Sequence, residues 1–206
     1  PQWNWSAVAW TDGGRSLIAN RGFTDGTVGE VWKVDVASGK ATRLLGKPDT
    51  FYAASDATQD GATIALTTNE QTKQLHALVY QPATGAIRAL KATPWEQSSG
   101  AISPDGRSML VQTSEDGRQT LELVDLASLA EQALAMPPGV NGAIGTHPFT
   151  PDSRRLMVLH SGADTPGEIQ AFDLGAGRMT PLTHFAMASL APEPLPKSRI
   201  VTYKSY

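Results

Sequence analysis

The feature that most constrains the fold of this chain is a short sequence motif that recurs four times. A polar turn is followed by an apolar run of strand length, and glycine occupies the same turn position in three of the four copies. The equivalent turn residues, which return at intervals of about 45 residues, are Gly14, Gly61, Gly106 and Ser153. A chain written as one repeated unit buries its apolar faces by stacking neighbouring units, so the repeat decides the architecture.

A second sequence motif lies further along each unit and recurs with the same period. In each unit a predicted strand ends shortly before a small residue, and glycine follows in three of the four units. The central residues of this second motif are Asp35, Gln81, Asp125 and Asp173. Because two independent motifs share one period, the repeat is not an accident of composition.

Each unit predicts four short strands. The segment Ser103–Gly106 predicts a turn, because proline presets one backbone angle, aspartate bonds the following amides and glycine accepts positive φ. The apolar run behind this turn has the length of a strand and is too short for a helix. The strands predicted for the third unit are Ser99–Ser103, Ser108–Thr113, Gln119–Asp125 and Glu131–Leu134.

Four-stranded units with this period are typical of β-propeller blades. We therefore predict an all-β fold of four consecutive four-stranded antiparallel blades. The blades are predicted at about residues 5–46, 47–92, 93–136 and 137–184, and residues 185–206 form a linker. The alternative is a β-sandwich with regular hairpins.

Composition argues against several kinds of partner and site. The formal net charge is −3, so the chain has no basic excess with which to bind nucleic acid. The absence of cysteine removes disulfides, thiolate nucleophiles and cysteine-ligated zinc. The longest uncharged stretch, Gln132–Pro151, contains four prolines and three glycines, so we do not expect it to span a membrane.

The sequence lacks the residues that a serine hydrolase needs at its nucleophile. That serine sits in a sharp Gly-x-Ser-x-Gly turn. Gly22 and Gly26 have the required spacing, but Thr24 lies between them. We predict no catalytic, cofactor-binding or metal-binding residue in this chain.

The histidines and the repeated aspartates have structural interpretations. His76, His147, His160 and His184 are not paired at the spacing of a metal motif. His160 with Asp164 is a conceivable ligand pair, but a strand-end histidine bonded to backbone or water is preferred. The aspartates predicted to accept hydrogen bonds from turn amides are Asp35, Asp60, Asp105, Asp125, Asp152 and Asp173.

The tryptophans divide into two groups. Trp10 and Trp32 fall on predicted strands, and we expect them to pack between blades. Trp3 and Trp5 precede the first clear strand, and we expect them to be partly exposed.

Function is expected on the face where the loops between second and third strands emerge. These loops differ from unit to unit, whereas the turns after the first and third strands are stereotyped, and variable loops on a constant scaffold usually carry recognition. The candidate contact residues are Arg21, Glu70, Arg118 and Trp95, with ordinary packing as the alternative for Trp95.

The repeated turn and strand-end motifs resemble those in the blades of the prolyl oligopeptidase family of serine peptidases and also those of Tol-system propellers. The resemblance rests on the Ser-Pro-Asp-Gly turn at 103–106 and on strands that end as Val124–Leu126 does. Two units depart from the pattern, because Gln81 replaces the aspartate and Ser153 replaces the glycine.

The C-terminal tail resembles the junction at which such peptidases leave the last blade and enter an α/β-hydrolase domain. The segments that carry this resemblance are 182–185, 190–196 and 200–206. It implies that the blades belong to a seven- or eight-bladed ring and that 185–206 leads to a hydrolase domain outside this sequence. It also implies a parent enzyme that cleaves prolyl, dipeptidyl or acylaminoacyl peptides, with the propeller restricting access.

Three functions remain in view. The preferred one is a non-catalytic propeller that gates a peptide substrate and docks a hydrolase domain. The alternative is a Tol-like propeller that binds proteins in the bacterial envelope. A four-bladed enzyme with a metal or acid pair at its axis comes third, because no ligand set recurs. The compartment stays open between bacterial cytoplasm and periplasm. The uncovered faces of the end blades predict self-association.

Overall fold

The computed structural model describes residues 2–162, 165–184, 201 and 203–204. The predicted linker, 185–206, therefore lies outside the described residues except for Val201, Tyr203 and Lys204. The described chain contains sixteen strands and one short 3₁₀ helix, Asp12–Gly14. No helix in these ranges is long and apolar enough to cross a bilayer.

The strands form four units in chain order, which we call blades 1 to 4. Blade 1 contains β1 (Trp3–Thr11), β2 (Ser16–Phe23), β3 (Gly29–Asp35) and β4 (Ala41–Leu45). Blade 2 contains β5 (Tyr52–Ala57), β6 (Ile64–Thr68), β7 (His76–Gln81) and β8 (Ala86–Ala89). Blade 3 contains β9 (Glu96–Ile102), β10 (Ser108–Glu115), β11 (Arg118–Asp125) and β12 (Glu131–Ala133). Blade 4 contains β13 (Val140–Ala143), β14 (Arg155–Ser161), β15 (Glu168–Asp173) and β16 (Arg178–Pro181).

Within each blade, consecutive strands pair antiparallel, so the predicted fold class is confirmed. One further parallel pair, Gln119 with Val140, joins blades 3 and 4. In blade 3 all four predicted strands overlap the observed ones. The first of them starts earlier than predicted, at Glu96, and the second ends later, at Glu115.

Each blade has two apolar faces, because alternate side chains of a strand point to opposite sides of the sheet. We call the face toward the preceding blade the front face and the other the back face. The front face of blade 2 carries Tyr52, Leu66 and Tyr80. These side chains pack against Ile18 and Val31 on the back face of blade 1.

The same front-to-back packing recurs at the next two junctions. Val79 on the back of blade 2 belongs to one buried cluster with Met109 and Val124 of blade 3. Leu110 on the back of blade 3 belongs to another with Phe172 of blade 4. Since a fully buried side chain of this size stabilises a fold by about 1.5–3 kcal/mol, these clusters are the main source of cohesion.

Polar side chains on the second strands hold the next blade in register. The Asn20 side chain donates to the backbone oxygen of Ala54 and accepts from its amide, both at 2.8 Å. At the equivalent position of blade 2, the Thr67 hydroxyl accepts from the amide of Ser99 at 2.9 Å. Backbone groups left unpaired by a strand bulge are thereby satisfied inside the junction.

The aspartates of the turns after the first strands have the predicted role in blades 2, 3 and 4. Asp105 accepts from the Ser103 hydroxyl at 2.6 Å and from the Arg107 amide at 3.1 Å. The same two kinds of bond recur at Asp60 and Asp152. The Ser103 hydroxyl holds the pKa of Asp105 below its usual value.

The aspartates after the third strands also accept from turn amides, as predicted. Asp35 accepts from the amide of Ser38 at 2.8 Å, and Asp125 accepts from that of Ser128 at 2.7 Å. Asp173 accepts from two successive amides of its turn.

The first turn of blade 1 departs from the predicted uniformity. Gly13 occupies the position of the bonding aspartate, so no carboxylate is available to close the turn. Asp12 instead adopts a left-handed conformation with φ of 54° and forms an ion pair with Lys33 at 2.7 Å. The prediction that the turns after the first strands are the same in all units is therefore wrong for blade 1.

Gly29 marks a close approach between blades 1 and 2. Its amide donates to the backbone oxygen of Thr50 at 3.2 Å. A Cβ atom added to Gly29 would overlap the backbone oxygen of Tyr52. The position therefore requires a residue without a side chain.

Replacing Gly29 with alanine is expected to lower the free energy of unfolding by about 1–3 kcal/mol, because two backbones must move apart to admit the methyl group. The matched control is Gly142→Ala, since a Cβ atom there meets nothing within 4 Å. Urea denaturation of both variants measures the difference. Equal stability of the two variants would contradict the close approach.

Candidate functional site

The loops between second and third strands emerge together with the connections between blades, and we call this side of the molecule the loop face. Beneath the connection 90–95 lies a cavity of about 230 Å³. Its polar lining includes Thr68, Gln74, His76 and Gln97. His76 Nε2 is buried there without a hydrogen-bond partner. The loop face of blade 2 thus contains a small pocket with one polar atom left to bond.

Glu70, one of the predicted contact residues, lies on the loop face but is already engaged. It forms an ion pair with Lys47 of the connection between blades 1 and 2. Lys47 lowers the pKa of Glu70. Burial, and after it the adjacent Glu70 carboxylate, raises the pKa of Tyr52. The cluster ties a loop to a blade connection, which is a structural role.

Arg21 lies near the end of β2, and its side chain faces the front of blade 1. Its guanidinium stacks over the ring of Trp3 at 4.1 Å from the centroid and pairs with Glu30 at 3.3 Å. Glu30 also accepts from the indole of Trp32 at 2.9 Å and pairs with Arg43 at 3.0 Å. This charged cluster sits on the front face of blade 1.

Arg118 and Trp95 are the two candidates that the structure leaves accessible on the loop face. Arg118 is exposed and starts β11, directly after the tight turn at Asp116 and Gly117. Trp95 is half-buried just before β9. No hydrogen bond or ion pair among the described residues joins any two of the four candidates, so they do not form one site.

The tryptophans of blade 1 depart from the prediction in two ways. Trp3 and Trp5 lie within β1 and do not precede it. Trp10, expected between blades, is 62% exposed, whereas Trp5 is 51% exposed, as expected. The physical reason is register, since these side chains and Trp32 share the front face of blade 1, which no described blade covers.

The larger cavity, of about 600 Å³, lies on the opposite side, where the first strands of blades 1, 2 and 3 end. Its lining includes Trp10, Asp56, Ile102 and His147. The sequence predicts function on the loop face and gives no sign of this cavity. The cavity is lined by residues from four blades, and only the stacked arrangement brings these residues together.

Asp56 is the residue of this cavity that sequence reasoning missed. Its carboxylate is buried and accepts from the amide of Ala57 and, across the junction, from the amide of Ile102, both at 2.8 Å. Burial nevertheless raises the pKa of Asp56. The signal was present in the repeat, because Ala9 and Ala101 occupy the equivalent positions of blades 1 and 3.

His160 lies buried near the end of β14. Its Nδ1 lies 2.8 Å from the Oδ1 atom of Asn141. Asn141 in turn donates to the backbone oxygen of Gln119 at 3.2 Å, so the pair connects blades 4 and 3. The suggested partner Asp164 lies outside the described residues. Within the described part of the chain, no group of three or more acidic or histidine side chains could hold a metal ion.

No protein-family model and no curated protein matches this sequence. Solved structures do match its fold. A puromycin-hydrolyzing peptidase from Mycobacterium tuberculosis superposes with a TM-score of 0.71 at 18% identity, over 92% of this chain and 30% of the other. Dipeptidyl peptidase 4 from Porphyromonas gingivalis superposes with 0.68 at 16% identity, over 90% and 27%.

TolB from Acinetobacter baumannii matches the same fold. It superposes with a TM-score of 0.67 at 12% identity, over 87% of this chain and 43% of TolB. The chain therefore spans less than half the length of each of these three structures. Identities this low establish the propeller-blade fold and no more, and this fold is shared by the two peptidases and TolB.

The buried carboxylate of Asp56 predicts an unusual pH dependence. Because its pKa is raised on folding, the stability that Asp56 contributes is full below the unfolded pKa and is lost as the pH rises through the folded pKa. The stability of the native protein relative to Asp56→Asn should therefore decrease as the pH rises above the ordinary aspartate pKa of about 3.9. Urea midpoints of both proteins across this range test the sign. An advantage that grows with pH would mean that the two amide bonds outweigh burial.

Proposed function

We propose that these blades are the non-catalytic propeller portion of a serine peptidase of the prolyl oligopeptidase type. In this function the propeller gates the access of peptides and docks an α/β-hydrolase domain that carries the catalytic residues. The observation that carries the proposal is the combination of peptidase-like blades with the hydrolase-junction resemblance of the segment 182–206.

The loop face is the side proposed to meet the hydrolase domain or the peptide. It holds the accessible side chains of Arg118 and Trp95 and the pocket beside His76. The loops that surround them differ between blades, while the scaffold below repeats. The opposite side holds the larger cavity, but the rim of that cavity is formed largely by stereotyped turns whose aspartates already bond their own amides.

A Tol-like binding propeller is the second candidate function. The similarity to TolB supports it, because the TM-score of that match, 0.67, lies only slightly below the 0.68 and 0.71 of the two peptidases. In this case the same loop face would bind another protein of the bacterial envelope. The discriminating feature lies in the gene, where a Gly-x-Ser-x-Gly motif after residue 206 supports the peptidase and its absence supports the binding propeller.

Activity-based labelling tests the peptidase proposal on the native protein. A biotinylated fluorophosphonate reacts with activated serines, so we expect native lysate treated with it to yield captured peptides of this chain, for example from the segment after Arg118. The 206-residue chain alone is expected to remain unlabelled. Heat-denatured lysate is the control, because capture must require a folded active site.

If the chain is abundant in the lysate but absent from the captured fraction, the peptidase proposal fails. A pull-down of envelope proteins with the 206-residue chain then becomes the test of the binding propeller.

Arg118→Ala in the whole peptidase is expected to lower kcat/KM for a peptide with an acidic side chain by about two- to fivefold, the range of one exposed ionic contact. Arg107→Ala is the matched control, because Arg107 is an equally exposed arginine of the same blade on the opposite side. Steady-state kinetics on both variants measures the effect. Equal kcat/KM values for the two variants would show that Arg118 does not contact the peptide.

A further inference from the structure

The pocket beneath the connection 90–95 is a place where the described residues leave polar groups without bonds. Its lining comes from blade 2, from this connection and from the first strand of blade 3. The pocket therefore lies at an internal junction, and its shape does not depend on what precedes blade 1 or follows blade 4.

The size of the pocket limits what can occupy it. Its volume of about 230 Å³ is several times the roughly 30 Å³ that one water molecule takes up in the liquid. The pocket is smaller than the sites of drug-sized ligands, which begin at about 300 Å³. It therefore fits one amino-acid side chain or a small molecule of similar size.

The Nε2 atom of His76 is the polar atom in this pocket that lacks a bond. It is buried, and no described residue forms a hydrogen bond with it. Such an atom destabilises the fold, and most buried polar atoms in folded proteins are bonded. An imidazole nitrogen donates in one tautomer and accepts in the other. A ligand group that both donates and accepts therefore suits either tautomer.

The other polar groups of the lining favour a carboxamide as that ligand group. The hydroxyl of Thr72 already donates to the backbone oxygen of Gln74 at 2.9 Å, and the remaining threonines of the lining accept from nearby amides. Gln97 is only 5% exposed, and its side chain has one long contact, 3.5 Å from Nε2 to the hydroxyl of Thr113. Its carboxamide can therefore still donate and accept, as a second carboxamide would.

The pocket offers no free charge to an ionic ligand. Lys91 is the one lysine, arginine or acidic residue among the described lining residues. Its amide donates to the carboxylate of Glu131 at 2.6 Å. Burial raises the pKa of Glu122, and the charge of Lys91 opposes this rise. Lys91 thus already interacts with acidic side chains of blade 3, and the rest of the lining favours an uncharged ligand.

We propose that this pocket binds a primary amide with a short aliphatic chain. The amide bonds Nε2 of His76 and the carboxamide of Gln97, and the aliphatic part lies against Leu78 and Leu90 of the lining. A glutamine side chain of a peptide and a small free amide share this chemistry. The inference goes beyond the proposed function and does not depend on it, because the test measures the binding of small probes and no peptidase activity.

Butyramide is the probe that tests the pocket, with its affinity for the native protein measured by ligand-observed saturation-transfer NMR. We expect a dissociation constant on the order of 1 mM, as for a ligand of so few atoms. Butyrate and butylammonium have nearly the same shape and are expected to bind at least about tenfold more weakly, because each would bury an unpaired charge.

Two variants locate the binding. His76→Phe keeps a ring and removes the nitrogen, and Gln97→Met keeps a side chain of similar length and removes the carboxamide. Each is expected to weaken butyramide binding about three- to tenfold, the effect of one hydrogen bond. His147→Phe is the matched control, because His147 is exposed and lines the cavity on the opposite side. Thermal unfolding verifies that each variant is folded.

A peptide probe distinguishes the two sources of the amide. If acetyl-glutamine-methylamide binds more tightly than butyramide, the ligand is a glutamine side chain, and if it binds more weakly, the ligand is a free amide. The proposal is overturned if butyrate binds as tightly as butyramide, or if His76→Phe or Gln97→Met keeps the wild-type affinity. It is also overturned if butyramide does not bind at all, which is the result expected for a pocket that holds only water.

Discussion

The packing of one blade face against the next is the interaction on which the rest of this structure depends. A single four-stranded blade has apolar side chains on both faces and cannot hide either of them alone. Stacking hides both, and the buried clusters lie between blades and not within them. Polar groups follow the same logic, because Asn20, Thr67 and Asp56 each bond the backbone of the following blade.

This dependence explains why the turns repeat while the loops vary. The turns after the first and third strands set the path of the chain, so their aspartates and hydroxyls recur in most blades. The loops on the other side carry no such constraint. They are free to differ in length and charge, and this freedom supports assigning recognition to them. Charged side chains there are still available for structural use, as the Lys47 and Glu70 pair shows.

The residues of the candidate site could be predicted only in part from the sequence. Arg118 and Trp95 lie near where the loop pattern predicted them, because loop position follows directly from strand order. Arg21 pairs with Glu30 on the front face of blade 1, and this orientation follows from the strand register and not from the loop pattern. Asp56 was missed although the repeat has a carboxylate there in place of alanine, because only the neighbouring blade shows that this carboxylate is buried.

The sequence by itself determined the repeat, the four-stranded unit and the chemistry of most turns, because these depend on contacts between residues close in the chain. Only the tertiary structure decided which faces are covered. Trp10 and Tyr52 both lie on the front faces of their blades, yet Trp10 is exposed and Tyr52 is buried. Their different exposure depends on whether another blade stands before them, and that is a property of the stacked blades and not of any segment.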